Sequence, residues 1–386
     1  MSTPLNCRKP IFIGDDRLND KGMSRNNIKI PQVNRALTGS EIWRPCWHDM
    51  TQVRDPEMMW LDKNENPDQS LRLVVEDIMR NMPMSVISTY PELPPLYKSL
   101  SNFLGVDPEN LVLANGSDGV IRCAFDCFVD RHDTVIHTSP TYAMYSVYCQ
   151  VKGANELAFN YDWNGQCWSL NWEDIFEKTL ELKPKLVCVP TPDSPTGAII
   201  ENNRLDQLIT ICEQVGALLI IDEAYFPFHE KSAIDRVSFS SNILVTRSTG
   251  KAWGLAGLRV GFGIGSPELI QKLQTIRSMY ECNSVAAYVF NKMISQYGVV
   301  KASVERLKAG LTWFESAMIE RGFETIPPAG NFIHVAFGER ESQIAENLCN
   351  LIYYRRETPH PSLAGYSRFS ATTEEQFRKI VEVIDV

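Results

Sequence analysis

From Ser241 to Gly263 the chain reads SNILVTRSTGKAWGLAGLRVGFG, and it places one lysine, Lys251, eight residues ahead of Arg259. A lysine loses its charge when it is desolvated or set beside other cations, and then becomes a nucleophilic amine. An arginine stays charged and offers a rigid fork suited to a phosphate. A reactive amine beside a phosphate clamp, at the end of an apolar strand (Ile243, Leu244, Val245), is equipped to hold a phosphorylated aldehyde as a Schiff base. Isolated lysines and arginines mostly sit on solvated faces, so the pair needs further support. A phosphate-binding P-loop is excluded, because Val245 stands where its first glycine belongs and Ala252 replaces the Ser/Thr after the lysine. The glycines of VGFGIG do not make a dinucleotide fingerprint.

Polar groups recur at the ends of other apolar runs. NGSDG (115–119) follows LVLA and precedes a helical pattern, so Ser117 could serve a phosphate or merely cap a helix. Asp222 closes ALLII, where a carboxylate is costly unless a cation or a donor meets it. Tyr225, three residues on, can hydrogen-bond in the same pocket, and Tyr142 in SPTYAMY offers a flat face to a ring. TPDSPTG (191–197) reads on composition as a rigid loop.

The elements that must position these groups alternate. Apolar runs at 111–114, 134–138, 156–159, 185–190, 217–222, 243–246 and 260–265 are strand candidates, with helical spacing at 119–129 and 203–216 between them. Such alternation predicts an α/β fold with a mostly parallel sheet, helices on both faces, and chemistry beyond the carboxyl ends of the strands. Helical spacing also marks 74–82 and 96–104, and a helix-rich stretch covers 267–321. Strands are expected at 331–337 and 367–371, in a smaller α+β part. Residues 1–45 are polar and proline-punctuated and read as an arm, at whose end Trp43, Trp47 and Trp60 are expected to pack. With 386 residues the chain can form two domains. A net charge of −9 without a basic face argues against nucleic-acid binding. No apolar run reaches a membrane span, and the N-terminus lacks the apolar core of a secretory signal. Ten cysteines without C-x-x-C pairs suggest reduced thiols in a cytoplasmic protein and no metal site.

The order LDKNENP, STYPE, NGSDG, PTYAMY, PDSPTG, IIDEAY, RSTGKAWGLAGLRVG and SRFS resembles the fold type I pyridoxal-phosphate aminotransferases, above all the histidinol-phosphate aminotransferase branch, from about Trp60 to the C-terminus. The resemblance implies a large domain (60–280) with a mostly parallel seven-stranded sheet, a small domain (281–386) and an N-terminal lead-in (1–59). It also implies a homodimer with a shared active site, working on a small-molecule amino donor and an oxo acceptor. Carried over, it makes Lys251 the Schiff-base residue and proton shuttle of pyridoxal 5'-phosphate. Asp222 becomes the partner of the pyridine nitrogen, Tyr225 and residue 194 the contacts of the phenolic oxygen, and Tyr142 the stacking ring. Ser117, Asp118, Ser248 and Arg259 would hold the phosphate, joined by Tyr90 from a second subunit. Arg368 would take the substrate carboxylate, with Asn64 also binding substrate. Departures stand out: Ser194 replaces the usual asparagine, Gly119 stands where an acid is frequent, and YYRRETPHP (353–361) does not repeat the usual approach to the small-domain arginine. They leave open a decarboxylase or other lyase of a phosphorylated amino acid on the same scaffold. A catalytically silent binding protein is a third reading, against which Lys251, Asp222 and Arg259 speak.

Overall fold

A computed structural model describes residues 53–358 and 360–385, so Trp43, Trp47 and most of the lead-in lie outside the described residues. Seven strands form the central sheet: β1 (Leu111–Ala114), β2 (Thr134–Ser139), β3 (Asn155–Asn160), β4 (Leu186–Pro190), β5 (Leu218–Asp222), β6 (Ile243–Ser248) and β7 (Gly261–Gly265). Their spatial order is β1-β7-β6-β5-β4-β2-β3. Only β7 runs against its two neighbours, and the other adjacent pairs are parallel.

The continuous apolar runs follow from this layering. Successive side chains of a strand point to opposite faces, and both faces are covered. In β5, Leu219 and Ile221 enter one apolar core while Leu218 and Ile220 enter the other. Strands buried on both faces cannot alternate with polar residues, so β4 and β5 are buried at every position.

Three further strands, β8 (Glu324–Ile326), β9 (Phe332–Ala336) and β10 (Tyr366–Ser370), form an antiparallel sheet in that order. The helices Tyr297–Glu320 and Glu374–Ile384 pack there, with the rings of Phe314 and Phe377 stacked at 4.3 Å. The short strand Met59–Trp60 pairs with Ile352–Tyr353, and Leu61 then bonds Tyr353 and Ser370 through its backbone, which leads residues 62–64 past the ends of the central strands.

Two boundaries differ from the sequence expectation. The strand expected at 243–246 continues to Ser248, because Arg247 and Ser248 pair with Phe262 and Gly261 of β7. The helix expected from residue 119 begins at Gly116, so Ser117 and Asp118 belong to its first turn.

Candidate active site

A cavity of about 450 Å³ opens beyond the carboxyl ends of the central strands. Ser117, Asp118, Tyr142, Ser194, Asp222 and Tyr225 line it, as do Asn64, Ser248, Lys251, Arg259 and Arg368. Of the site residues expected from the sequence, Tyr90 alone is not among its walls.

One end is shaped for an anion. The helix Gly116–Phe128 starts against β7 so closely that a Cβ on Gly261 would lie 2.2 Å from the Gly116 carbonyl carbon and the Ser117 nitrogen. Its N-cap, Asn115, makes no side-chain capping bond, so the orphan N–H groups of the first turn are left for another acceptor. Arg259 reaches over the same turn, with Nη2 donating to the Asn115 carbonyl at 3.4 Å. A Cβ on Gly116 would come within 2.9 Å of that Nη2, so glycine keeps the cradle open. Ser248 Oγ lies beside it and accepts from Gly250 N at 3.1 Å. The Asp118 carboxylate accepts from the Tyr148 hydroxyl at 2.7 Å. What Asp118 offers an anion is therefore its backbone N–H.

In the middle, Asp222 ends β5 buried, accepting from Thr246 Oγ1 at 2.8 Å and the Tyr145 hydroxyl at 3.4 Å. Burial pushes its carboxyl up to about 6 against those donors. The Tyr225 hydroxyl accepts from Asn64 Nδ2 at 2.9 Å, which leaves its own proton for the cavity. Asn64 is buried in the left-handed region (φ 55°), where its backbone N–H donates to Ser370 Oγ and its carbonyl accepts from Asn331 Nδ2. The sequence suggested Asn64 as a substrate ligand; its side-chain amide holds Tyr225. Tyr142 lines the cavity edge-on to Tyr145. Ser194 lies on a loop tied down by the buried Asp193, which accepts from Thr138 and Thr141 at 2.6 and 2.7 Å.

Lys251 follows β6, and its Nζ donates to the Lys63 carbonyl at 2.9 Å. The residue is half-buried and lines the cavity. Its pKa falls below the usual lysine range, mainly through desolvation, with the charges of Arg368 and Arg259 adding to the effect.

At the far end Arg368 Nη2 donates to the Asp62 carbonyl at 3.1 Å, while its buried Nε has no protein partner. Burial, and next the charge of Arg355, lower the pKa of this guanidinium. Arg355, which sequence reasoning missed, also lines the cavity and donates from Nε to the same carbonyl at 3.2 Å. Reciprocal backbone bonds of 3.0 and 2.7 Å join the two arginines. The only sequence signal was the irregular YYRRETPHP itself.

Tyr90 is exposed and stacked on Tyr280 at 4.3 Å. It lines a second hollow of about 710 Å³, which Asn115 also borders, just ahead of the anion cradle.

These groups fit pyridoxal 5'-phosphate. A helix turn kept open by glycine, with Arg259 over it, suits the phosphate; a desolvated amine suits the aldehyde; and a dry carboxylate suits the ring nitrogen. A lysine so placed on a seven-stranded, mostly parallel sheet defines an aminotransferase-type site. The chain belongs to the aminotransferase class I and II family, whose profile matches residues 56–384.

Among its relatives, a histidinol-phosphate aminotransferase of Caldanaerobacter subterraneus subsp. tengcongensis is 32% identical over 287 residues, 72% of this chain and 78% of that protein. One of Clostridium novyi is 26% identical over 84% of this chain and 90% of that protein. In fold, the chain is similar to the histidinol-phosphate aminotransferase of Sinorhizobium meliloti in complex with pyridoxal-5'-phosphate. That likeness has a TM-score of 0.76 and 18% identity, and covers 93% of this chain and 99% of that one.

Proposed function

We propose that this aminotransferase uses pyridoxal 5'-phosphate to move an amino group from an amino acid or a phosphorylated amine to an oxo acid. The observation that carries the reading is the polarity of the cavity: the depressed amine of Lys251 faces it between the anion cradle at Arg259 and the arginine pair Arg355 and Arg368. The cofactor, when bound, supplies an electron sink for the α-carbon. Lys251 Nζ would hold the aldehyde until the substrate amine displaces it, and the freed amine would then take and return the α-proton. Asp222 keeps the ring nitrogen protonated, Tyr225 donates to the phenolic oxygen, and Tyr142 covers the ring. Ser117, Ser248, Arg259 and the N–H groups of the first helical turn hold the phosphate. Arg368 and Arg355 take the anionic group of the substrate, and the orphaned Nε of Arg368 offers a donor for it. The relatives' names support histidinol phosphate as one such amine.

A homodimer completes the site in this reading, with Tyr90 reaching the phosphate of the opposite copy. The exposed side chains Ile87 and Tyr280, which line the same hollow as Tyr90, support it. Cys149, Cys188, Cys212 and Cys282 are buried free thiols, in keeping with a cytoplasmic enzyme.

The test is incubation of the loaded protein with a panel of amino acids and histidinol phosphate, following the cofactor's absorption and any carbon dioxide. Conversion to the pyridoxamine form without carbon dioxide supports the proposal. Carbon dioxide release turns it into a lyase, and the absence of any spectral change with any amine turns it into a silent binding protein.

A further inference from the structure

Asp222 is held from two sides. Thr246 stands opposite it in the β5–β6 register, and its hydroxyl donates to Oδ1 at 2.8 Å. Tyr145, on the helix Met144–Lys152, donates to Oδ2 at 3.4 Å from the side on which its ring meets Tyr142. Both donors are wholly buried. Thr246 follows three apolar residues of β6, Ile243, Leu244 and Val245, at a place where the core would accept a fourth. A hydroxyl buried there is costly unless bonded, and the carboxylate of Asp222 is its partner.

We infer that Thr246, with Tyr145 as a weaker second donor, is a positioning residue that keeps Asp222 ionised and fixes the turn of its carboxylate toward the cavity. The inference rests on the reading of Asp222 as partner of the cofactor's ring nitrogen. The need for such a donor follows from the surroundings. Asp118, from the helix Gly116–Phe128, adds a negative charge on one side. Tyr142, Cys188 of β4, Asp193 and His137, whose ring lies 6.0 Å from that of Tyr145, are further titratable groups around the Asp222–Tyr145 pair, and the side chains that donate to the carboxylate are those of Thr246 and Tyr145. Besides the Ala224 N–H, only the two hydroxyls favour the anion among the groups bonded to it.

The test uses Thr246→Val, which keeps the shape and removes the hydroxyl, and Thr246→Ser, which keeps the hydroxyl. Stripped protein is titrated with pyridoxal 5'-phosphate, and the nitrogen signal of bound, 15N-labelled cofactor is recorded. Thr246→Val should bind about ten-fold more weakly, the low end for a lost bond to a charged acceptor. Its ring nitrogen should move toward the unprotonated signal, and Thr246→Ser should restore both readouts. An unchanged affinity and nitrogen signal in Thr246→Val overturn the inference. So does a loss that Thr246→Ser shares, which would mark a packing role. If Thr246→Val does not fold, Tyr145→Phe replaces it, and a nitrogen signal equal to the wild type's then overturns the inference. Wild-type protein that takes up no cofactor would instead sink the cofactor reading itself.

Discussion

Lys251 meets the Lys63 carbonyl with an amine whose pKa is lowered, mainly by desolvation and further by the charges of Arg368 and Arg259. Borohydride reduction of the loaded protein should fix the cofactor on Lys251, and Lys251→Ala should abolish turnover; peptide mapping that finds the label on another lysine overturns the assignment. Ser194 supports a second prediction. Its hydroxyl is shorter than an asparagine amide, so Tyr225 is left as the main donor to the phenolic oxygen. A donor restored by Ser194→Asn stabilises that oxygen as an anion and should lower the spectroscopic pKa of the loaded protein by about one pH unit. A titration curve that overlays the wild type's would show that Ser194 already reaches. That Lys251, Asp222 and Tyr225 line one cavity was legible in the sequence, because each stands at the end of an apolar run or a few residues past it. Arg355 was not, since its place beside Arg368 depends on how residues 356–367 turn back. Nor was the role of Thr246, which reads as one more β-branched residue of a strand until its register with Asp222 is known.

Strands and helices set the tolerances of the site. At Gly261 the backbone of β7 touches the first turn of the helix Gly116–Phe128, and any Cβ would overlap main-chain atoms that cannot swing away. Gly261→Ala should therefore cost roughly 1–3 kcal/mol or more of stability, and should release cofactor in proportion to the displacement of that turn. Thermal unfolding and cofactor retention on dialysis measure the two effects, and wild-type values for both would refute the close packing. Asp193 couples the loop of Ser194 to the end of β2 through Thr138, and to Thr141. Burial raises its carboxyl from 3.8 to about 7. Because the folded pKa is the higher, its contribution to stability is complete below the unfolded value and is lost as pH rises through about 7. Asp193→Asn lacks this titration, so its melting temperature should gain on the wild type's as the pH goes from 5 to 8. A constant difference would count against the buried charge. β4 and β5 were readable as apolar runs because both of their faces are covered. The end of β6 was not readable, because only its pairing with β7 keeps the polar Arg247 and Ser248 in the ladder.

At the scale of the whole molecule, a second copy covering the hollow at Tyr90 should make the protein a dimer by sedimentation. Tyr90→Phe should weaken cofactor retention, and mixed dimers of Tyr90→Phe with Lys251→Ala should recover part of the activity; a fully active monomer would refute the shared site. One apolar core has a wider reach than either sheet. Trp253, two residues beyond Lys251, and Phe369, the neighbour of Arg368, both belong to it, together with Ile221 and Val245 of the central sheet and Phe314 of the helix Tyr297–Glu320. The amine and the guanidinium are thereby mounted on one solid frame. Their separation is the gauge against which a substrate's length is read, and packed hydrocarbon far from the cavity sets that gauge.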